Sequence, residues 1–429
     1  MKKQVISLMV ILCVILTSLP AVTLAVDEIP SGTCGEHLTW RVSNNGKTLT
    51  ISGSGPMTDF MDVYSTPWYA HYKYNVEEIV IGGNVTSIGD NAFRGFKGLV
   101  KVTIPNGVTI IGDYAFVGCR NLSNVKLPNS VTYVGDYAFW DCGLTNVILS
   151  NNMKTIGKGM FMACFELTSI TIPNGVTTIG KGAFLGDKNL TEVNIPNSVT
   201  TIENDAFCDC ENLTKITLPN NLTEIRDGVF CGCKSLTNIQ IPNDVVSLGE
   251  AAFGNCGFTH LIIPDGVKEI GWGAFAWSKK LTNIIIPNGV TEIERETFCR
   301  CENLAEITIP NSVTKIEWLA FADCNKLKNV YYIGTKEQWD AILIDDDNDC
   351  LINAIIHFTA VKTIAGDVNG DGGADAGDLT AIARHVARIE TLTDEALLKN
   401  ADVNQDGVID AEDLTKMAKY VAKIIKTLD

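Results

Sequence analysis

The sequence predicts a long parallel β-solenoid with a β-rich N-terminal cap, followed by a small all-α domain. Three observations carry that prediction. Phenylalanine recurs at Phe93, Phe116, Phe139, Phe161, Phe184, Phe207, Phe230, Phe253, Phe275, Phe298 and Phe321, at spacings of 23 with two of 22. Around each lies one template, clear in Leu190, Val193, Ile195, Pro196, Val199, Ile202, Ala206, Phe207 and Cys210. An Asp-x-Asn-x-Asp pattern begins at Asp367 and again at Asp402. A unit of 23 residues cannot bury its own apolar face, so coils must stack. Eleven coils at strand spacing give a parallel sheet, on one face of the stack, roughly 50 Å long.

Residues 1–25 read as a signal peptide: Lys2 and Lys3, an apolar stretch from Val5 to Leu16, then Thr23, Leu24 and Ala25 before Val26. That apolar core is too short to span a bilayer, and no later stretch is apolar enough, so the expectation is an exported chain without membrane insertion. The 429 residues carry a formal charge of −16, with 46% hydrophobic and 20% charged residues. Losing two lysines with the leader leaves 32 basic against 50 acidic residues, or −18. Such a chain is a poor partner for nucleic acid, which needs clustered Lys and Arg, and is too apolar for global disorder.

Residues 26–80 form the cap: Leu38, Trp40 and Val42 alternate, as do Leu49 and Ile51, about a turn at Asn45-Gly46. Residues 81–335 are the coils. Leu-x-x-Ile-x-Ile sends alternate side chains inward, and a proline such as Pro196 ends the strand because it has no N–H to give. Residues 336–360 leave the template and close the last coil. Within them Asp345–Asp349 looks like a cation loop, but Cys350 holds the glycine position and the segment reads as a hydrated turn.

The pattern Ile-Pro-Asn-x-Val-Thr-x-Ile-Gly-x-x-Ala-Phe-x-x-Cys resembles the BspA-like bacterial leucine-rich repeats of secreted and surface proteins, over about residues 80–335. The register also explains the cysteines. Cys119, Cys142, Cys164, Cys210, Cys233, Cys256, Cys301 and Cys324 each follow a repeat phenylalanine by three; Cys208, Cys231 and Cys299 follow by one. The Cys-x-Cys pairs are therefore two stacked columns. Metal ligands converge on a point, whereas columns run along an axis, so these read as packing thiols. Column neighbours fall within disulfide reach, although parallel Cβ vectors are the wrong geometry, and the odd count of 13 after leader removal argues against a complete framework. The outward strand positions are polar and nearly neutral. Asn238, His260 and Asn283 on that face, with Trp272, Trp277 and Trp318 off it, form the candidate ligand surface.

In residues 361–429, Asp367, Asn369, Asp371, Gly373, Asp375 and Asp378 occupy positions 1, 3, 5, 7, 9 and 12 of a loop with glycine at 6. Asp402, Asn404, Asp406, Val408, Asp410 and Asp413 repeat it. Ca²⁺ takes six to eight oxygens and the sharp turn needs that glycine, so two ions are expected. The segment holds 13 acids and 8 bases; two ions would bring its charge from −5 to about −1, coupling metal to folding. Each loop opens a helix, but the first lacks room for a full entering helix. Tandem half-hands with Asp at position 12 resemble a type I dockerin, which implies binding to the cohesins of a cellulosome scaffoldin. The resemblance places cohesin contacts at Ala376, Gly377, Ala383, Arg384 and Arg388 in the first half and Ala411, Glu412, Ala418, Lys419 and Lys423 in the second. Near-identical halves imply that either could dock, the domain turned by about 180°. Ala374 in place of Ile or Val, and Gly377 as a helix starter, depart from the family pattern.

No Gly-x-Ser-x-Gly, His-Glu-x-x-His or phosphate loop occurs, and the five histidines are scattered. The sequence thus reads as a secreted, non-catalytic cellulosome-type component acting in polysaccharide degradation. Its solenoid would bind a protein or plant polysaccharide; a regulator of a secreted enzyme and an unrecognised glycoside hydrolase are the alternatives.

Overall fold

A computed structural model describes residues 30–358, together with 378–379, 381–382, 400–404 and 408–421. The chain opens as an antiparallel meander, Ser31–Gly35, Leu38–Ser43 and Thr48–Pro56. Its second turn holds Asn44, Asn45 and Gly46 at φ of 57°, 53° and 88°, a left-handed run that these residues tolerate. Thr48–Pro56 then pairs in parallel with Glu78–Ile81, so the meander hands over directly to the solenoid sheet. Trp68 plugs this junction: it is fully buried, donates its indole N–H to the Ala92 carbonyl at 2.8 Å, and stacks on Phe93.

Most coils give one short strand to the main sheet. Lys101–Thr103, Asn124–Lys126, Ser169–Thr171, Glu192–Asn194 and Lys215–Thr217 place outward side chains at their ends and an apolar residue between. Register follows the repeat: Glu192 pairs with Lys215 and Val193 with Ile216. After the strand, proline lends its carbonyl to the N–H three residues on, as Pro196 does to Val199 at 3.0 Å. A second parallel ladder then forms, of two-residue strands such as Thr178–Ile179, Thr201–Ile202 and Glu224–Ile225. This ladder adds a face to the single sheet expected from sequence. Its strands are too short for an alternation to register.

The repeat phenylalanines make a continuous buried column. Neighbouring rings are nearly parallel and offset, for example Phe184 to Phe207 at 5.2 Å and 5°, and Phe207 to Phe230 at 6.0 Å and 9°. The residues two before and two after each phenylalanine are left-handed, as at Asp205 (60°) and Asp209 (55°). That alternation turns successive N–H groups toward the next coil: Asp205, Phe207 and Asp209 donate to the carbonyls of Asp227, Val229 and Cys231 at 2.9, 3.0 and 2.7 Å. Most coils place Gly, Asn or Asp there; Tyr114, Tyr137, Trp277 and Leu319 accept the backbone cost where their side chains cover neighbouring coils.

The main sheet is interrupted at residues 238–240 and 260–262, which join no ladder. The turn after Cys256 is one residue shorter here, and Phe258 fills the usual leucine position, packing edge-on against Phe253 at 5.8 Å. At the C-terminal end Ile355–Phe358 pairs with Asn329–Ile333, and Leu343–Ile344 with Lys315–Ile316, so both ladders run one coil further. The acidic segment there is not merely a hydrated turn. Asn348 is buried, accepts the Phe321 N–H at 2.9 Å and donates to the carbonyls of Glu317 and Asp345. It thereby takes the ladder position that a further coil would fill.

Candidate functional site

In the C-terminal segment, helix Ala411–Val421 begins at an acidic loop. Asp410 receives the Glu412 N–H at 2.7 Å, a side-chain cap on the first turn. Asp413 is fully buried: its Oδ1 accepts the Asn404 N–H at 3.0 Å and its Oδ2 the Asp410 N–H at 2.9 Å. The position-12 carboxylate thus draws positions 3 and 9 of the loop together. Asp378, position 12 of the other loop, is equally buried. Ile382, Ala401, Val403 and Met417 supply the apolar packing, and Lys416 ties the helix to the loop through the Val403 carbonyl at 2.8 Å. Carboxylate and amide oxygens on a loop closed from within suit a hard divalent cation. Of the predicted ligands, Asp402, Asn404, Val408, Asp410, Asp413 and Asp378 lie within the described residues; Asp367, Asn369, Asp371, Gly373, Asp375 and Asp406 lie outside them. Among the described residues no three His, Cys, Asp or Glu side chains form a metal-holding group.

The helix presents Ala411, Glu412, Thr415 and Lys419 to solvent. Leu414, Thr415, Ala418 and Lys419 line a shallow depression along it. Of the predicted cohesin contacts, Ala376, Gly377, Ala383, Arg384, Arg388 and Lys423 lie outside the described residues.

On the solenoid, Asn238, His260 and Asn283 are exposed in one column of the main-sheet face, beside Ile262, 82% exposed, and Ile285. Asn238 and His260 sit in the interrupted stretch, where no ladder ties the strands to their neighbours. The tryptophans are arranged differently. The Arg295 guanidinium stands over both the Trp272 ring at 5.1 Å and the Trp318 ring at 4.6 Å, and Arg300 covers Trp277 at 4.1 Å. Trp318 also donates its indole N–H to Asp347 at 2.7 Å. Arg295→Ala, which removes two exposed cation–π contacts, should cost about 1–2 kcal/mol in urea unfolding, and Arg295→Lys less.

The cysteine columns behave as packing. Cys142, Cys164, Cys210 and Cys233 donate their thiols to the carbonyls of Phe116, Phe139, Phe184 and Phe207, one coil back, at 3.0–3.3 Å. Burial holds these thiols well above their ordinary range, so they stay protonated. Three members of the column are not cysteines: Phe96 in the first coil, Ser278, whose hydroxyl donates to the Phe253 carbonyl at 3.0 Å as the thiols do, and Asp187. Asp187 stands there fully buried; its Oδ1 accepts the Cys164 N–H at 2.8 Å, while its Oδ2 has no partner as an acceptor. Burial pushes that carboxyl well above the carboxylate range, against the lowering effect of the Cys164 N–H. Reading the sequence by column would have found it, three residues after Phe184.

Stacked coils, a phenylalanine spine and a calcium-type loop on a short helix define a leucine-rich-repeat solenoid joined to a docking domain. The family model for the BspA type leucine rich repeat region matches residues 65–184 and 200–328, and the chain belongs to that family. The model for the dockerin type I domain matches residues 365–422. Among solved structures the chain is similar to a leucine-rich repeat protein from Eubacterium ventriosum (24% identity, 70% of this chain and 84% of that one, TM-score 0.48). It is similar also to a leucine rich cell surface protein from Faecalibacterium prausnitzii (27%, 75% and 99%, TM-score 0.42). No match is found among curated proteins. Type I dockerins bind calcium and cohesins and occur in extracellular cellulosome components; leucine-rich repeats mediate protein interaction; neither family is catalytic. No helix among the described residues is long and apolar enough to cross a membrane.

Proposed function

We propose that this is a secreted, non-catalytic component of a cellulosome-type assembly. The dockerin would hold two Ca²⁺ ions and clip the chain to a scaffoldin cohesin, and the solenoid would capture a protein ligand at sites of polysaccharide degradation. The observation that carries the reading is the dockerin match over residues 365–422, with Asp413 closing its second loop from within. Asp402, Asn404, Asp406, Val408, Asp410 and Asp413 would ligate one ion, Asp367, Asn369, Asp371, Gly373, Asp375 and Asp378 the other, and calcium supplies the charge neutralisation that lets these acids share a small domain. Bound calcium orders the helices bearing Arg384, Arg388, Lys419 and Lys423, which would form the two alternative cohesin faces.

A protein is favoured over a polysaccharide as the solenoid ligand because each of the three tryptophans has an arginine, Arg295 or Arg300, over its ring, which competes with a stacking sugar. The main-sheet face instead offers Ile262 and Ile285 among hydrogen-bonding Asn238, His260 and Asn283, the mixed character of a protein-binding surface. The full chain, held on an immobilised cohesin and exposed to culture supernatant with plant cell wall, should retain a secreted protein, and Ile262→Asp should reduce its capture about tenfold. Retention of soluble plant polysaccharide in affinity gels, with no protein captured, would transfer the role to a glycan. Polysaccharide turnover by the purified chain, lost on mutating a main-sheet carboxylate, would make it an enzyme.

A further inference from the structure

Of the thirteen cysteines among the described residues, nine are buried and four, Cys208, Cys231, Cys299 and Cys350, are half-buried. Only two of those four are neighbours in one column. Cys208 and Cys231 each follow a repeat phenylalanine by one, in consecutive coils, whereas Cys299 has Ala276 and Ala322 as its column neighbours and Cys350 lies beyond the repeats. Their backbones are fixed: the Gly186 N–H reaches the Cys208 carbonyl at 2.8 Å and the Asp209 N–H the Cys231 carbonyl at 2.7 Å. The two thiols face each other across the coil boundary, near enough to share a proton.

We propose that Cys208 and Cys231 form a redox-active dithiol that closes to an inter-coil disulfide on reaction with a low-molecular-weight disulfide. The Cys208 S–H donates to Cys231 and lowers its pKa, opposing burial and the nearby Asp209 and Asp205, so Cys231 is the attacking thiolate. Cys208, raised by its bond to Cys231 and by burial, keeps its proton until the second step. In the first step the Cys231 thiolate bonds one sulfur of the reagent, breaks its S–S bond and expels one small thiolate. In the second, Cys208 gives its proton to solvent, attacks the Cys231 sulfur and expels the other small thiolate. The protein sulfurs lose two electrons and the reagent gains two.

Consecutive coils lie about 4.8 Å apart, inside the Cα separation a disulfide accepts and slightly beyond its usual Cβ separation, and the parallel Cβ vectors of these column neighbours must turn toward each other for the bond to form. Closure therefore draws two coils together at mid-solenoid. It adds a covalent staple to the inter-coil hydrogen bonds of this segment, just before the interrupted stretch of the main sheet. The buried thiols of Cys210 and Cys233, one turn position away, are held protonated and spent on phenylalanine carbonyls, which confines the reaction to the half-buried pair.

The test treats the reduced full chain with oxidised glutathione, blocks remaining thiols with N-ethylmaleimide and maps peptides by mass. The Cys208 and Cys231 peptides should be linked, about 2 Da lighter than their sum, with the buried cysteines unreacted. Cys208→Ser should instead trap glutathione on Cys231, about tenfold faster than on Cys299. A stable glutathione adduct on Cys231 in the unmutated chain, no linked peptide after oxidation, or Cys231 reacting no faster than Cys299 would each overturn the proposal. Should the serine variant fold poorly, the linkage in the unmutated chain still decides.

Discussion

Chelating calcium should abolish capture of the full chain by an immobilised cohesin, an apparent affinity loss of at least about a thousandfold, while leaving the solenoid folded. The two halves of that expectation rest on different residues. The C-terminal segment concentrates 13 acids in 69 residues, and its described core is only Ile382, Ala401, Val403 and Met417. Metal binding neutralises these crowded carboxylates and so supplies much of the folding free energy of so small a domain. Asp413 is buried with the N–H groups of Asn404 and Asp410 on its two oxygens, so in the folded loop its negative charge needs a cation beside it, and removing the metal favours unfolding. The solenoid rests instead on the phenylalanine spine and inter-coil hydrogen bonds. Surface plasmon resonance with EGTA and re-added calcium reads the first half, and circular dichroism across 210–230 nm the second. Charge reversal of Arg384 with Arg388, or of Lys419 with Lys423, should each leave binding within about threefold, and the combination should remove it. Binding that survives EGTA would sink the calcium-dependent assignment. Loss with either single pair would leave calcium in place but end the two-faced reading.

What could be read in the sequence, and what could not, follows from how far each feature extends along the chain. The phenylalanine spine, the alternating main-sheet strands and the thiol column repeat so often that register alone places them. The two loops were legible for a similar reason, since Ca²⁺ dictates both residue type and spacing at Asp402, Asn404, Asp410 and Asp413. The second ladder escaped because Thr178–Ile179 and its equivalents are two residues long. The interruption at 238–240 and 260–262 left no mark in the template, since Ile239 and Leu261 hold the usual apolar strand position there. Arg295 shares a column at 23-residue spacing with Trp272 and Trp318, but register alone does not show that one guanidinium spans both rings. Asn348 looked like part of an acidic turn; only the demand for a partner by the Phe321 N–H gives it a role.

Asp187→Asn should stabilise the chain by about 1–3 kcal/mol at pH 7, the range for relieving an unsatisfied buried polar atom. The Cys164 N–H occupies Oδ1, and Oδ2 finds nothing to accept. In the coils on either side, Cys164 and Cys210 donate from this column to the carbonyls of Phe139 and Phe184, so the equivalent acceptor for Asp187 is the Phe161 carbonyl. A carboxylate cannot donate to it; a protonated carboxyl or an amide can. The pH dependence follows from the direction of the shift. Burial holds the folded carboxyl well above its unfolded value of about 3.9, so below that value both states are protonated and the full stability is present. As pH rises further the unfolded chain releases the proton and the folded chain keeps it. Stability is then lost by about 1.4 kcal/mol per pH unit until the folded carboxyl also ionises. The asparagine variant lacks that slope. Urea unfolding followed at pH 4, 5.5 and 7 in saturating calcium, compared as the difference between the two chains, removes contributions from every other carboxylate. The difference should be smallest at pH 4 and grow toward pH 7. A constant difference would mean that Asp187 is charged in the folded chain and that some other group balances it. Asp187→Cys, which restores the column residue, should behave as the asparagine variant does and extend the row of thiol-to-carbonyl bonds unbroken from Cys119 to Cys256.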